Sequence, residues 1–158
     1  MNFIIDDTLG YRINRCSILM KASLTRRFKA AGHDLTPEEW VILTRLWPKD
    51  GLSQNELADT TLKDKTTITR FLVQMEKKQL VFRKTSTQDA RVKQVYLTPS
   101  AQALKDQLIP LVQGFLRDCA IEIEPVQFAI TLSTLSAIEQ NLLRAESEFL
   151  DLTKGFEA

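Results

Sequence analysis

This chain has almost no histidine and little cysteine: His33 stands alone among 158 residues, and Cys16 and Cys119 lie far apart without C-x-x-C spacing. Too few soft ligands remain to close a zinc site within one chain, so no metal is expected. With five glycines there is no Gly-rich phosphate loop, and neither a nucleophile elbow nor a carboxylate pair flanked by apolar residues is present. Nothing is left to take a catalytic role, so the chain is expected to be neither an enzyme nor a cofactor carrier. Long apolar runs are missing too. None approaches the ~20 residues of a membrane span, and Met1 to Asp7 lacks the basic and apolar regions of a signal peptide, so a soluble, cytoplasmic protein without a membrane partner is expected. No internal repeat or low-complexity linker divides the sequence, and 44% hydrophobic residues suffice for one domain, 1–158, with a core of its own.

What is present is helical periodicity at both ends. Leu9, Ile13, Cys16, Met20, Leu24 and Phe28 recur every three or four residues and predict an amphipathic helix over 8–31, stopped by Gly32. Thr36-Pro37-Glu38-Glu39 combines a capping box with proline at the first helical position. The helix it opens is apolar nearly all round, through Trp40, Val41, Ile42, Leu43, Leu46 and Trp47, and belongs in the domain centre. Thr98-Pro99 opens another helix, carrying Ala101, Leu104, Leu108, Leu111 and Phe115, with a kink expected where Pro110 lacks an N–H. A break near Ile121 to Glu124 precedes a last helix striped by Leu132, Leu135, Ile138, Leu142, Ala145 and Phe149, and the tail from Asp151 to Ala158 is expected to fray. The terminal helices, 8–31 and 99–150, run well past a lobe of residues 36–98. Their stripes predict an interface between two copies, with Ile13, Leu135, Ile138, Leu142 and Phe149 as dimerisation residues. Helices that cover only their own lobe are the alternative.

Between these ends, residues 53 to 97 read as a helix-turn-helix followed by a wing. Ser53-Gln54-Asn55-Glu56 is a capping box, with Leu52 and Leu57 as its hydrophobic staple, and it starts a short helix ending around Thr60-Thr61. Asp64 is a good N-cap for a second helix from Lys65 to about Lys78, whose buried stripe is Ile68, Phe71, Leu72 and Met75. Its other face carries Thr66, Thr67, Thr69, Arg70 and Gln74, short hydroxyls, an amide and one guanidinium, where an ordinary wet face would be rich in Glu and Lys. Such groups bond base edges and phosphates at close range. Leu80 to Lys84 and Val92 to Leu97 read as the strands of a hairpin with a polar, basic tip. From Thr61 to Lys93 nine Lys or Arg stand against three Asp or Glu, a local +6 that leaves −5 for the rest of a chain of formal charge +1.

Thr66-Thr67-Ile68-Thr69-Arg70, then Glu76-Lys77-Lys78-Gln79-Leu80-Val81, then Asp89-Ala90-Arg91 with Leu97-Thr98 six residues beyond the Arg, make the chain resemble the multiple-antibiotic-resistance regulator (MarR) family of bacterial winged-helix transcription factors. The resemblance covers about Leu9 to Phe149. It implies a mainly α fold with a small β-hairpin wing, in which a winged helix-turn-helix lobe is joined to long terminal dimerisation helices. It also implies a two-fold homodimer that binds double-stranded DNA at a palindromic operator, as a repressor or activator. Thr66, Thr67, Arg70 and Gln74 are the residues expected to face bases and nearby phosphates, Arg70 being the direct reader of guanine. Thr69, Lys63 and Lys65, with Ser53 and Gln54 at a helix start, suit phosphates.

Family members often carry two consecutive arginines after the wing Asp, the first entering the minor groove; here that position is Ala90. Asp89 is expected to stiffen the wing by holding Arg91, and backbone contact falls to Arg91, Lys93 or Gln88. The resemblance further implies a small aromatic or anionic effector between the dimer helices and the lobe, near Met20, His33 and Trp40 by position. One branch of the family instead oxidises a cysteine near the start of the first helix. Cys16 stands there as a redox-sensor candidate, while its place on the apolar stripe, like that of Cys119, predicts a buried, inert thiol. A reading from another class is a winged-helix interaction module that docks an acidic partner and shows no preference among duplex sequences.

Overall fold

The computed structural model describes residues 4–154, with side chains as far as Phe149. The chain forms two compact units, Met1–Phe115 and Leu116–Ala158, with the division inside a helix. In the first unit a single 3-10 turn, Ile5–Asp7, leads to Thr8, whose hydroxyl accepts the Tyr11 N–H as N-cap of α1, Leu9–Ala30. The Thr36 capping box is complete, its hydroxyl accepting from Glu39 N–H while the Glu39 carboxylate accepts from Thr36 N–H, and α2 follows as Pro37–Leu46.

Ser53 and Glu56 make the same reciprocal pair at the start of α3, Gln54–Thr61. Its last residues meet α4, Lys65–Lys77, through Leu62 in the left-handed region. Three strands form one antiparallel sheet in the order β1-β3-β2: β1 is Leu52–Ser53, β2 Val81–Thr85 and β3 Lys93–Leu97. The hairpin was expected; β1 was not. It pairs Leu52 with Val95 and Ser53 with Gln94, so the start of α3 is fixed to the wing. The preceding turn is fastened as well, because Asp50 Oδ1 accepts the Leu97 N–H at 2.9 Å. Gly51 sits there at φ +80, and an added Cβ would lie 2.9 Å from the Tyr96 ring, so only glycine fits without displacing Tyr96.

Phe28, Ile42, Leu43, Leu46, Leu57, Ile68, Leu72, Met75, Val95 and Leu108 are fully buried and make one core out of α1, α2, α3, α4, β3 and α5 (Pro99–Cys119). Helix α5 stays unbroken through Pro110. The stripe of α1 behaves differently from its sequence reading. Leu24 and Phe28 are buried, whereas Leu9, Ile13, Cys16 and Met20 are exposed, because the lobe reaches only the C-terminal turns of the helix. Both cysteines are exposed in the single chain, against the expectation of buried thiols.

Helix α6, Pro125–Lys154, belongs to the second unit. Among its described side chains none is buried: Leu132, Leu135, Leu142 and Phe149 are exposed and Ile138 is half-buried. The helix continues to Lys154, past the point where fraying was expected, and 155–158 lie outside the described residues. No described helix is long and apolar enough to cross a membrane.

Candidate nucleic-acid interface

Helix α4 presents two unlike faces because its sequence does. Ile68, Leu72 and Met75 are fully buried in the core, and Lys65, Thr66, Thr69, Arg70 and Gln74 are exposed on the opposite side. Three contacts fix the helix in place. At its start, Asp64 Oδ1 accepts the Thr67 N–H at 2.7 Å, which also holds the Asp64 carboxyl below the usual carboxylate range. At its end, the Lys78 ammonium lies 3.0 Å from Oε2 of the buried Glu39 and 3.0 Å from the Asp34 carbonyl. Beside it, Arg83 of β2 grips Glu76 through two hydrogen bonds, at 2.9 and 2.5 Å. That hydrogen bond outweighs burial and lowers the Glu76 pKa, and the same contact raises that of Arg83.

With Arg83, Lys78 and Arg91 in ion pairs, six of the nine cations of this stretch remain without one among the described residues. Among the described residues Lys65 and Arg70 make no ion pair, and Arg70 lies with its guanidinium 5.6 Å from the Phe71 ring centre. A notch of about 250 Å³ between α3, α4 and the wing is lined by Ser53, Gln54, Lys65, Thr69, Arg91 and Lys93 among others. Its charged groups are all cations.

Residues 35–93 match the MarR family model. Over those residues the chain is similar to the MarR family. The matched span runs from the approach to α2 through α3, α4 and the wing to the first residue of β3, and the family is one of DNA-binding transcriptional regulators, not enzymes. A probable transcriptional regulator from Pseudomonas aeruginosa superposes with a TM-score of 0.76 at 24% identity, over 85% of this chain and 99% of the other. The S. aureus MepR–DNA complex gives 0.79 at 23%, over 85% and 98%. Bordetella bronchiseptica BpsR, whose DNA binding is regulated by 6-hydroxynicotinic acid, gives 0.80 at 17%, over 88% and 98%. At these identities the likeness speaks for the fold, a mainly helical winged helix with a small sheet.

Within the matched span the predicted site residues fall into three groups. Lys65, Thr66, Arg70 and Gln74 share the open face of α4, with Lys63 exposed just before it. Thr67 departs from the reading that put it with the base-facing residues: its hydroxyl donates to Asp64 Oδ2 at 2.7 Å, so it completes the cap. Thr69 likewise donates its one hydroxyl proton, to the Lys65 carbonyl at 2.8 Å, and accepts from Gln54 Nε2 at 3.1 Å. It has no proton left for a phosphate. In the wing Asp89 holds Arg91 through its backbone N–H at 2.9 Å and its guanidinium at 3.2 Å, and Lys93 donates to Thr85 at 2.6 Å. Gln88 is exposed at the tip.

Sequence reasoning left the lining of one feature unnamed. A cavity of about 310 Å³ between α1, α2 and α4 is walled by Leu24, Trp40, Ile42, Ile68 and Phe71, with Lys21, Glu38 and Lys63 as its charged lining. Trp40 was foreseen near such a space; Met20 and His33 do not line it. Lys21 and Glu38 pair at 2.8 Å. Burial raises the Glu38 pKa, but the Lys21 hydrogen bond and the charges of Lys21 and Lys63 outweigh it, leaving the carboxyl below its usual range. The signal was available only in hindsight, since a basic residue on α1 and an acidic one in a capping sequence look like ordinary surface charges. Among the described residues no cluster of His, Cys, Asp or Glu could hold a metal ion.

Proposed function

We propose that the protein is a homodimeric, sequence-specific regulator of transcription that binds a palindromic double-stranded operator from the cytoplasm and acts as an effector-responsive repressor. The observation that carries this reading is the open face of α4, where Lys65, Thr66, Arg70 and Gln74 stand exposed on a helix anchored at both ends. Thirteen residues of helix are roughly 20 Å long, a fit to a major groove. Arg70 reads guanine through O6 and N7, Thr66 and Gln74 contact neighbouring edges, and Lys63, Lys65, Ser53 and Lys93 hold the backbone. Arg91 is committed to Asp89, so the wing stiffens and grips the backbone, and Ala90 offers nothing to the minor groove.

The dimer is supported by apolar surface that the single chain leaves open on α1, at Ile13, and on α6, at Leu135, Leu142 and Phe149. Two copies related by a two-fold axis would read two half-sites. The effector seat is the cavity behind α4. Its aromatic walls and its two lysines suit a small aromatic anion, whose carboxylate would compete with Glu38 for Lys21. Ile68 and Phe71 form part of both the cavity wall and the recognition helix, which gives an occupant a route to the DNA face.

Selecting bound duplexes from a random pool tests the reading. A palindromic winner preferred by ~10³ or more over random duplex is the expected result. Equal binding of all duplexes, or of any polyanion, would leave an electrostatic docking surface instead.

A further inference from the structure

Thr69 and Gln54 meet across the helix-turn-helix, and the direction of their hydrogen bond is fixed by proton count. Thr69 has a single hydroxyl proton, and it goes to the Lys65 carbonyl at 2.8 Å. Toward Gln54 it therefore acts as an acceptor only. The Gln54 amide must turn its nitrogen to Thr69, as it does at 3.1 Å. A free glutamine amide flips between two nearly isosteric orientations; this one is held in one of them. What remains to face outward is one N–H donor and the Oε1 acceptor.

We infer that Gln54 is a base-reading residue with a preference for adenine, and that Thr69 is the positioning residue that fixes the polarity of its amide. The inference rests on the DNA reading of α4 proposed above. Adenine offers an acceptor at N7 beside a donor at N6, the complement of what Gln54 has left. Guanine offers two acceptors there and would set O6 against Oε1, while cytosine and thymine each satisfy one of the two groups. A phosphate would use the donor and leave Oε1 beside an anion, and the same notch already holds Lys65 and Lys93 for that purpose. A neutral amide of fixed polarity adds little to charge neutralisation. It adds sequence information.

The test is base preference, measured by selection from a random duplex pool with the full chain. Wild type should show adenine enriched at one position per half-site. Thr69→Val removes the acceptor while keeping the shape, frees the amide to flip, and should lower that preference about tenfold while binding to random duplex and the melting temperature stay unchanged. Gln54→Ala should remove the same preference at the same position, and Thr69→Ser should retain it. If wild type selects a site but Thr69→Val and Gln54→Ala leave every base preference intact, or weaken all sequences equally, the inference fails and the DNA reading stands. If wild type selects no sequence at all, both fail.

Discussion

Arg70 and Lys93 are both cations on the same side of the lobe, yet their loss should show in different measurements. Arg70 has no ion pair among the described residues and sits one turn into the open face of α4, where a planar guanidinium presents paired donors. Arg70→Ala should weaken the preferred duplex by ~1–3 kcal/mol and relax preference at one position per half-site. A loss equal for all sequences would make it a phosphate clamp. Lys93 is tethered to Thr85 and lines the basic notch, which suits a backbone contact that releases a counterion. Lys93→Ala should weaken specific and random duplex alike and lower the slope of log affinity against log salt by about one unit. An unchanged slope would take Lys93 off the DNA. At this scale the sequence showed which side chains share a face but not what their hydroxyls do, since Thr67 and Thr69 look like free donors until Asp64, Lys65 and Gln54 are placed around them.

The elements were legible wherever a local rule writes them. Both capping boxes, the Asp64 cap and the proline at the start of α2 begin helices at the expected residues, because a cap is a contact between residues three apart. Contacts between distant residues left no such trace. Strand β1 has two residues, too few for an alternation to be seen, and exists because β3 lies beside it. Glu39 reads as a capping glutamate, and its burial against Lys78, 39 residues on, depends on the tertiary fold. The Arg83–Glu76 pair is of the same kind and joins the wing to the recognition helix. Its contribution should depend on pH. Glu76 titrates in the folded state below its ordinary value, so the stabilisation is complete above the unfolded carboxylate pKa of about 4.3 and disappears as pH falls through the lower folded value. Glu76→Gln should therefore reduce stability by roughly 1 kcal/mol at neutral pH. The gap in melting temperature from wild type should close between about pH 5 and 3. A gap that stays constant over that range would mean that ionisation of Glu76 contributes nothing to holding the wing.

For the molecule as a whole the open question is what covers the apolar residues that the single chain leaves in water. Periodicity marks apolar stripes on α1 and α6, but a period says which residues share a face and is silent about what lies against it. On α6 Leu142 is 62% and Phe149 63% exposed. Leaving a large apolar side chain unburied forgoes roughly 1.5–3 kcal/mol, which a second copy of the chain would recover along its own stripe. Self-pairing about a two-fold axis brings the two stripes together by symmetry. Reading two half-sites one turn of duplex apart requires two copies of α4 about 34 Å apart, so that half-site reading would depend on residues with no place in the basic face. Leu142→Asp is the sharpest probe, because a carboxylate at an apolar contact is left unpaired and desolvated in the dimer yet is harmless on an exposed helix of the monomer. The variant should keep its helix content, sediment at half the wild-type mass and lose most of its affinity for a two-half-site duplex, while binding to random duplex falls far less. Sedimentation of the unaltered chain at micromolar concentration carries the outcome that would sink the argument: a lone 18.0 kDa species would leave each recognition helix to bind alone, and no palindrome would be preferred over its single half-site.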